Sequence, residues 1–394
     1  MSKVLVGNIK GPPGTSNPYD VVDVFMADPT GATDSASAFN NARIALPSGG
    51  GSIFVPTGTY LINSTVGPFT TNQWIDCAPG VVFNFAGTGD CFNFTDSSTY
   101  TTRTIQSGGI TGRPVINKVG SSAGARALHA GDILGLRFDV AIRNFTGATD
   151  IAVYFDNRVY WAEQMVADLW IDNCTQDVVF DCTGATTSAG SFDRGKFTIY
   201  LSHKTFIGDC ITFQNGAYIV GGSLDVFGNI NSSSSAFTHS ILNINGSAPA
   251  GHPSGPSLLD QIMLNINLES DEGLAHTFQT INYGSIANVI TRASGNISFG
   301  PGNQFTQSNI TTVTTQFGFV GPVAGDTTLN ENFFTGRVAV SSSASFFSSM
   351  YIAELSSAPA GGASPVGGGY LWVDATGHLH YKGPSGTDTT LANP

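Results

Sequence analysis

The sequence predicts an all-β chain organised as a parallel β-helix (a solenoid), on three observations. Charged residues make up only 11% of the chain and glycines number 48, a composition that favours short strands and tight turns over helices. From about Asp20 to Gln316, short alternating segments recur and end in Asn, Gly, Asp or Ser. Two-residue hairpin turns are scarce, which favours the β-helix, although a sandwich or barrel also fits the strand spacing.

The alternation assigns an inward and an outward face to individual strands. In ADLWIDN (167–173), Trp170 must point away from the core because its neighbours Leu169 and Ile171 point inward. The segments DVVFDC, KFTIYLS and SLDVFG alternate in the same way and place Asp181 and Asp225 on outward faces. ILNING and MLNINLES share an Asn-Ile alternation, which is typical of a β-helix whose like residues stack in ladders.

A single amphipathic helix is predicted near the N-terminus. Asp34, or Thr33, is a good N-cap for a helix that begins at Ser35 and ends before Pro47. The first rung of a β-helix exposes its apolar interior and an unpaired strand edge, so a lone helix at this point is expected to cover the open end. The apolar face of the helix comprises Phe39, Ala42 and Leu46, with Ala38 and Ala45 beside them.

The stretch around this helix resembles the N-terminal signature of the pectate-lyase-like right-handed β-helix proteins found in bacteriophage tailspikes and tail fibres. That signature is an acidic-Gly loop, an Ala-rich helix, a Gly-Gly turn and a strand-Pro-x-Gly-x-Tyr-strand unit. The resemblance implies a right-handed β-helix and leaves activity open, because the matching residues are structural. They are Asp28, Gly31, Asp34, Ala38, Phe39, Ala42, Gly50, Gly51, Val55, Pro56, Gly58 and Tyr60.

Both ends of the chain also resemble phage tail proteins. VGNIKGPPGT (6–15) is similar to the start of phage minor tail proteins, and GGGYLWVDATGHLHYKGPSGTDTTLANP (367–394) is similar to the β-meander that closes many tail-fibre proteins. We therefore predict an attachment arm over 1–18, a β-helix over 19–316 and a β-rich trimerisation tip over 317–394.

The resemblance implies a homotrimer in the virion tail, joined to other tail or baseplate proteins through the N-terminal arm. The first residues show no hydrophobic secretory signal, as expected of a phage protein released by lysis, and no apolar run predicts membrane insertion. A net charge of −12 with only 16 Lys and Arg argues against nucleic acid as a partner. The five cysteines form no CxxC pair and are predicted to be buried thiols.

Aromatic and acidic residues are densest in YFDNRVYWAEQMVADLWIDN (154–173). Carbohydrate sites combine aromatic faces with a few carboxylates and amides, so this stretch is the candidate contact to bacterial surface polysaccharide. For Trp170 and Trp161, packing against a loop or a neighbouring subunit is the alternative. The candidate carbohydrate-binding residues are Trp170, Trp161, Tyr160, Tyr154 and Asp156.

The expected function is a phage tail fibre or tailspike that binds a bacterial surface carbohydrate. One alternative is a polysaccharide depolymerase, a hydrolase or lyase, on the same scaffold, and another is a purely structural tail component. Cleavage requires two nearby carboxyl groups, and Asp168 and Asp172 are roughly 13 Å apart along one strand, so a neighbouring rung would have to contribute. The signal for an enzyme is weak, and its catalytic candidates are Glu163, Asp168, Asp172, Asp181 and Asp225.

The motif HLH near the C-terminus is a candidate metal site, although no cofactor is required by the expected function. His378 and His380 share one face of a strand. A threefold axis would gather six such imidazoles around one transition-metal ion, an arrangement that the resemblance to trimeric phage fibres also implies. Two surface histidines in a polar hairpin are the alternative.

Overall fold

A computed structural model describes much of the chain, and it divides into two compact units, Met1–Ala339 and Val340–Pro394. The predicted boundary after Gln316 falls within the first unit, and the predicted arm lies almost wholly outside the described residues. These are 18–95, 105–158, 161–183, 191–203, 208–230, 240–245, 258–270, 276–282, 290–291, 294–299, 303–306, 316–320, 354–355, 370–374, 376–382 and 388–392.

The first unit is a right-handed parallel β-helix, as predicted, with one helix, α1 (Ala36–Ala45), in its described part. Its earlier strands are β1 (Gly51–Val55), β2 (Thr59–Ile62), β3 (Gln73–Cys77), β4 (Val82–Phe85), β5 (Asp90–Phe94), β6 (Ile105–Thr111), β7 (Val115–Lys118), β8 (Arg126–Ala130), β9 (Ile133–Arg143), β10 (Ile151–Asp156), β11 (Ala162–Glu163) and β12 (Val166–Asp172). Its later strands are β13 (Gln176–Asp181), β14 (Phe192–Asp193), β15 (Gly195–His203), β16 (Ile211–Gln214), β17 (Tyr218–Ile230), β18 (Ser240–Asn245), β19 (Leu258–Ser270), β20 (His276–Asn282), β21 (Ile290–Thr291), β22 (Ser294–Phe299), β23 (Asn303–Thr306) and β24 (Gln316–Val320).

Two parallel sheets run along the β-helix. The long sheet has the main order β1-β3-β6-β9-β12-β15-β17-β19-β22-β24, and the second sheet has the order β23-β20-β18-β16-β13-β10-β8-β5. Each strand pairs with the equivalent strand of the next rung, as β12 does with β9 and β15. This stacking places residues that are far apart in sequence at neighbouring positions on one face.

The interior is filled by aromatic side chains that repeat from rung to rung. Phe180 stacks on Phe155 and Phe213, with ring centroids 5.0 and 4.5 Å apart. The five cysteines are all buried free thiols, as predicted. Burial of this apolar interior is the main stabilising contribution in a repeat protein, where each rung contacts only its neighbours.

The helix α1 covers the first rung, as predicted. Phe39 reaches the interior and makes edge-on contacts with Tyr60 and Phe83, at centroid distances of 5.6 and 5.5 Å. Arg43 Nη1 donates to the carbonyl of Pro68 at 2.7 Å and ties the helix to the rung below. The predicted apolar face is correct except at Ala45, which is exposed at the end of the helix although the next residue, Leu46, is buried.

The capping region depends on two short turns. Asp34 Oδ1 accepts from the backbone N–H of Ala36 at 3.1 Å and so caps the start of the helix, one residue before the N-cap position. Gly50 has φ +94°, and a Cβ there would lie 2.4 Å from Asn72, so only glycine fits this turn.

An asparagine ladder runs along one edge of the β-helix. Asn117 Nδ2 donates to Asn84 Oδ1 at 2.9 Å, Asn144 Nδ2 to Asn117 Oδ1 at 2.9 Å, and Asn173 Nδ2 to Asn144 Oδ1 at 3.2 Å. Each interior amide both donates and accepts, so neighbouring rungs are held in register by side chains as well as by the backbone.

The second unit contains a four-stranded sheet of order β25-β26-β27-β28. Its strands are β25 (Glu354–Leu355), β26 (Tyr370–Asp374), β27 (Leu379–Lys382) and β28 (Asp388–Ala392). The last three form an antiparallel meander, in agreement with the predicted β-rich end. Within the described part of the whole chain, no helix is long and apolar enough to span a bilayer.

Candidate functional site

Three aromatic side chains form a row on the outward face of the long sheet. Trp170, Tyr200 and Phe227 occupy paired positions on β12, β15 and β17, and we call them the aromatic row. The rings of Trp170 and Tyr200 are tilted by 47° with centroids 4.3 Å apart. The row follows the axis of the β-helix because each residue belongs to a successive rung.

Strand alternation explains why these rings face outward. Leu169 and Ile171 are fully buried on either side of Trp170, which leaves the indole 45% exposed, and Phe227 is 37% exposed. Val166 and Met263 are also exposed, but they lie four residues along their strands from the row, with Lys196 and Ser223 between them. The three adjacent rings are therefore the apolar part of this face that is suited to an interaction surface.

A shallow pocket adjoins the aromatic row. It has a volume of about 160 Å³ and is lined by Val115, Ala141, Ile142, Arg143, Trp170 and Asp172. The Oδ1 atom of Asp172 is buried and has no hydrogen-bond partner among the described residues. An unpaired buried acceptor costs about 1–3 kcal/mol, and because this atom is closed to solvent it is not itself open to a ligand.

A guanidinium group lies between two carboxylates on the other side of the row. Asp139 and Asp168 are paired positions on β9 and β12, and Arg113 contacts both, with Nε 2.8 Å from Asp139 Oδ1 and Nη2 2.6 Å from Asp168 Oδ2. The hydrogen bond and charge of Asp139 raise the pKa of Arg113, together with the charge of Asp168. Arg113 therefore donates a hydrogen bond to one oxygen of each carboxylate. The Asp139 and Asp168 pair is better suited to joining β9 and β12 at the surface than to proton transfer.

Two other predicted acids have different surroundings on the long sheet. Asp225 Oδ1 accepts from the side-chain amide of Asn265 on the next rung. Glu163 accepts from the indole N–H of Trp161 and is paired with Asp193 on β14. Burial raises the pKa of Asp193, and the charge of Glu163 adds to the rise.

Tyr154 and Asp156 belong to the second sheet, away from the strands of the aromatic row. The carboxylate of Asp156 is 2% exposed and accepts from Arg158 Nε at 2.7 Å, so it is unavailable to a surface carbohydrate. Tyr154 is covered by Arg126, whose guanidinium lies 4.4 Å from the ring centroid. The prediction that these two residues contact a carbohydrate alongside Trp170 therefore loses its support.

Asp181 faces outward as the alternation predicts, yet it is buried. It accepts from Tyr154 Oη at 2.9 Å, from Gln214 Nε2 at 2.7 Å and from Asn215 Nδ2 at 2.9 Å. Burial alone would raise the pKa of Asp181, but hydrogen bonds from Thr183, Asn215 and Gln214 outweigh it and hold the pKa below its usual value. Asp181 is thus a satisfied structural acceptor.

A buried histidine completes this network on the second sheet. His129 Nδ1 is 2.9 Å from Asp90 Oδ2, while Nε2 is 3.7 Å from Asp156 Oδ2, too far for a hydrogen bond. Arg126 Nη1 also contacts Asp90, at 3.2 Å. Asp90 and Asp156 are each paired with an arginine, while His129 Nε2 is buried without a hydrogen-bond partner among the described residues. The network is therefore a structural cluster of charges and not an open site.

The structure therefore unites only part of the predicted set. Trp170, Asp168 and Asp172 share the outward face of β12, as expected. Glu163 lies on the preceding strand β11, and Trp161 lies in the loop before β11. Tyr160 lies outside the described residues. Sequence reasoning overlooked Tyr200, Asp139 and Arg113 as site residues, although the alternation had already placed Tyr200 outward on its own strand.

At the C-terminal end, His378 and His380 lie together around the carboxylate of Asp374. Both imidazoles belong to the same chain as that carboxylate, in the turn and strand that follow β26. The predicted gathering of histidines across a threefold axis concerns other copies of the chain and stays a prediction.

No protein family and no curated protein matches this chain. Solved structures similar in fold include an iota-carrageenase complexed to iota-carrageenan fragments, with 11% identity and a TM-score of 0.41 over 84% of this chain and 93% of the other. ORF18 of Geobacillus virus E2 has 16% identity and a TM-score of 0.34 over 74% of this chain and 62% of the other. The surface adhesin PfbA of Streptococcus pneumoniae has 14% identity and a TM-score of 0.32 over 77% and 92%.

These structures share a right-handed β-helix fold. At such low identity the similarity extends to fold alone and carries no ligand or activity over to this chain. The class of protein defined by fold and surface is therefore a right-handed parallel β-helix with an exposed aromatic row on its long sheet.

Proposed function

We propose that this chain is a carbohydrate-binding β-helix protein that attaches a phage tail to bacterial surface polysaccharide. The observation that carries the proposal is the aromatic row of Trp170, Tyr200 and Phe227 on the outward face of the long sheet. Sugar rings have apolar faces that pack on aromatic rings and hydroxyl groups that need nearby polar partners.

The surroundings of the row supply both kinds of contact. Three successive strands span about 10 Å, so the row can contact more than one sugar of an extended chain. Arg143 and Asp172 line the pocket beside Trp170 and provide a donor and an acceptor for hydroxyl groups. A second copy of the chain would also cover apolar side chains, but charged side chains beside an aromatic ring favour a hydroxyl-rich ligand.

The phage setting rests on the resemblance of the two ends and the capping region to tail proteins. Within this proposal the chain is a homotrimer in the virion tail, the N-terminal arm joins it to other tail or baseplate proteins, and the β-helix presents the carbohydrate surface. A purely structural spacer would have no use for exposed rings in register on three rungs.

Polysaccharide cleavage is the second candidate function, and the pair of Glu163 and Asp193 favours it. These carboxylates occupy paired positions on adjacent strands, about 5 Å apart at the backbone, and burial raises the pKa of Asp193. A glycosidase needs one protonated and one ionised carboxyl group, about 5–5.5 Å or 6.5–9.5 Å apart, and side chains at paired positions of adjacent strands are near enough to meet this requirement. Trp161, beside Glu163, is exposed and could pack against a sugar.

A single experiment separates these functions. The purified protein is incubated with surface polysaccharides from a panel of bacteria, and size-exclusion chromatography follows both co-elution and chain length. Co-elution at unchanged length, lost in Trp170→Ala and retained in Met26→Ala, supports the binding function. Met26 is a suitable control because it is 83% exposed and lies in the loop before α1.

Chains shortened by the wild type but not by Glu163→Gln or Asp193→Asn would replace binding with cleavage as the principal function. Absence of co-elution and of shortening across the panel would contradict both, as would a Trp170→Ala variant that binds like the wild type with no shortening.

A further inference from the structure

Two histidines and one aspartate converge in the hairpin between β26 and β27. His378 Nδ1 is 3.2 Å and His380 Nε2 is 3.1 Å from the same oxygen, Asp374 Oδ2. One ligand atom from each residue lies within 4.8 Å of the others. Neighbouring ligand atoms around a first-row metal ion with bonds of about 2.0–2.2 Å are roughly 2.9–3.5 Å apart. The two measured distances are hydrogen bonds in the ion-free protein and are also compatible with a shared ion.

The carboxylate of Asp374 is held in place by the turn. Its Oδ1 accepts from the backbone N–H groups of Thr376 and His378, both at 2.9 Å, and from the Thr376 hydroxyl at 2.8 Å. These bonds satisfy Oδ1 and leave Oδ2 directed between the two imidazoles. The carboxylate is therefore positioned by backbone geometry. His378 Nδ1 also lies 2.7 Å from the Thr376 hydroxyl, a contact that a bound ion would replace.

His380 lies between two carboxylates. Its Nδ1 is 3.0 Å from Asp388 Oδ1 on β28, and its Nε2 faces Asp374. In the imidazolium form both ring nitrogens donate to these carboxylates. In the neutral form with Nδ1–H on Asp388, Nε2 presents a lone pair toward Asp374 Oδ2, and a metal ion bound between them would replace the proton. A carboxylate that orients the far nitrogen of a ligating histidine is a common feature of protein metal sites.

We propose that Asp374, His378 and His380 of a single chain bind one divalent transition-metal ion, with Asp388 orienting His380. Two imidazoles and one carboxylate suit Zn²⁺, Ni²⁺, Co²⁺ or Fe²⁺ better than Ca²⁺ or Mg²⁺, because Ca²⁺ and Mg²⁺ favour oxygen donors. The side chains are partly exposed, which leaves room for water to complete the coordination.

The bound ion would stabilise a unit that has little apolar interior in its described part. None of the described side chains of β26, β27, β28 and the intervening turn is buried. The metal would join β26, the turn and β27 directly, and β28 through Asp388. Small domains with insufficient core commonly depend on such a metal cross-link.

The test is metal stoichiometry on the full chain. The protein is stripped with a chelator, equilibrated with Zn²⁺ and passed through gel filtration, and bound metal is measured by mass spectrometry. We expect one ion per chain in the wild type and in Thr389→Ala, an exposed neighbour on β28 that contacts no ligand. His378→Ala and Asp374→Asn should lose the ion, and Asp388→Asn should bind about 10- to 100-fold more weakly.

A second measurement guards against misfolded variants. Titration with Co²⁺ should produce d–d absorption bands in the wild type that are absent in His378→Asn, while circular dichroism of the metal-free proteins stays the same. Zinc retained equally by the wild type and His378→Ala would overturn the proposal, as would no stoichiometric binding. One ion per three chains would also overturn it, because it would assign the metal to a shared axis.

Discussion

The rings of Trp170 and Tyr200 are 4.3 Å apart although thirty residues of chain separate them, because they occupy paired positions on β12 and β15. Each ring supports the orientation of the other on the outward face. This contact holds both rings in one orientation, and a rigid aromatic surface loses little conformational entropy when a ligand binds.

Replacement of Trp170 by Ala should reduce affinity for the bound polysaccharide by about 10- to 100-fold, or about 1.4–2.8 kcal/mol. The reason is loss of the largest exposed face in the aromatic row. Isothermal titration calorimetry would measure the change, and Tyr200→Ala should have a smaller effect because Tyr200 is less exposed. An unchanged affinity for Trp170→Ala would move the site elsewhere.

Replacement of Phe39 by Ala should destabilise the N-terminal rungs by about 3–5 kcal/mol, because it empties the space between Tyr60 and Phe83. Urea unfolding followed by tryptophan fluorescence would report the loss. Ile44→Ala is the matched control on the same helix, since Ile44 is exposed and its truncation should change stability by no more than about 0.5 kcal/mol. Equal effects of the two variants would contradict the capping role of α1.

Within the asparagine ladder, Asn117→Ala should cost about 1–3 kcal/mol, because it removes the donor to Asn84 Oδ1 and the acceptor of Asn144 Nδ2. Asn84→Ala should cost less, since Asn84 ends the ladder and loses one such bond. Both residues lie in strands, so neither substitution changes the stability of a turn. Thermal unfolding of the two variants side by side would show whether the interior position matters more.

The His129 network should make stability depend on pH. Burial lowers the pKa of His129, but the carboxylates of Asp156 and Asp90 outweigh it and raise the pKa above its ordinary value of 6.5. A raised pKa in the folded state adds stability that is fully present below about pH 6.5 and is lost as the pH rises through the raised value.

The stability difference between the wild type and His129→Gln should therefore be larger at pH 6 than at pH 9. Chemical unfolding at the two pH values measures it, and the variant supplies its own correction for packing changes. A difference that is the same at both pH values would mean that His129 does not gain a proton on folding in this range.

Local patterns in the sequence were enough to predict the β-helix, its capping helix and the outward direction of Trp170. Leu169 and Ile171 determine that direction by themselves, so no knowledge of other rungs was needed. The neighbours of Trp170 could not be predicted in the same way, because they depend on the length of each rung. The paired residues Arg137, Val166, Lys196, Ser223 and Met263 are separated by 29, 30, 27 and 40 residues.

This variable spacing explains why Asp139 and Tyr200 were overlooked as site residues. Each turn between rungs has its own length, and a register shift of one residue would reverse the faces. The sequence pattern also could not show that an outward-facing side chain is buried. Asp181 alternates as a surface residue, yet Tyr154 and Gln214 from adjacent rungs donate hydrogen bonds to it. Alternation assigns a direction to a side chain but not what lies beyond it.

The alternation in β12 has a consequence for how such a molecule can evolve. Ala167, Leu169 and Ile171 hold the rung together, while Asp168, Trp170 and Asp172 face away from it. Mutations at the second group leave the interior untouched, so recognition and foldability are under separate selection. When the ligand changes, the outward-facing positions of such a strand can therefore change in sequence while its inward-facing positions stay the same.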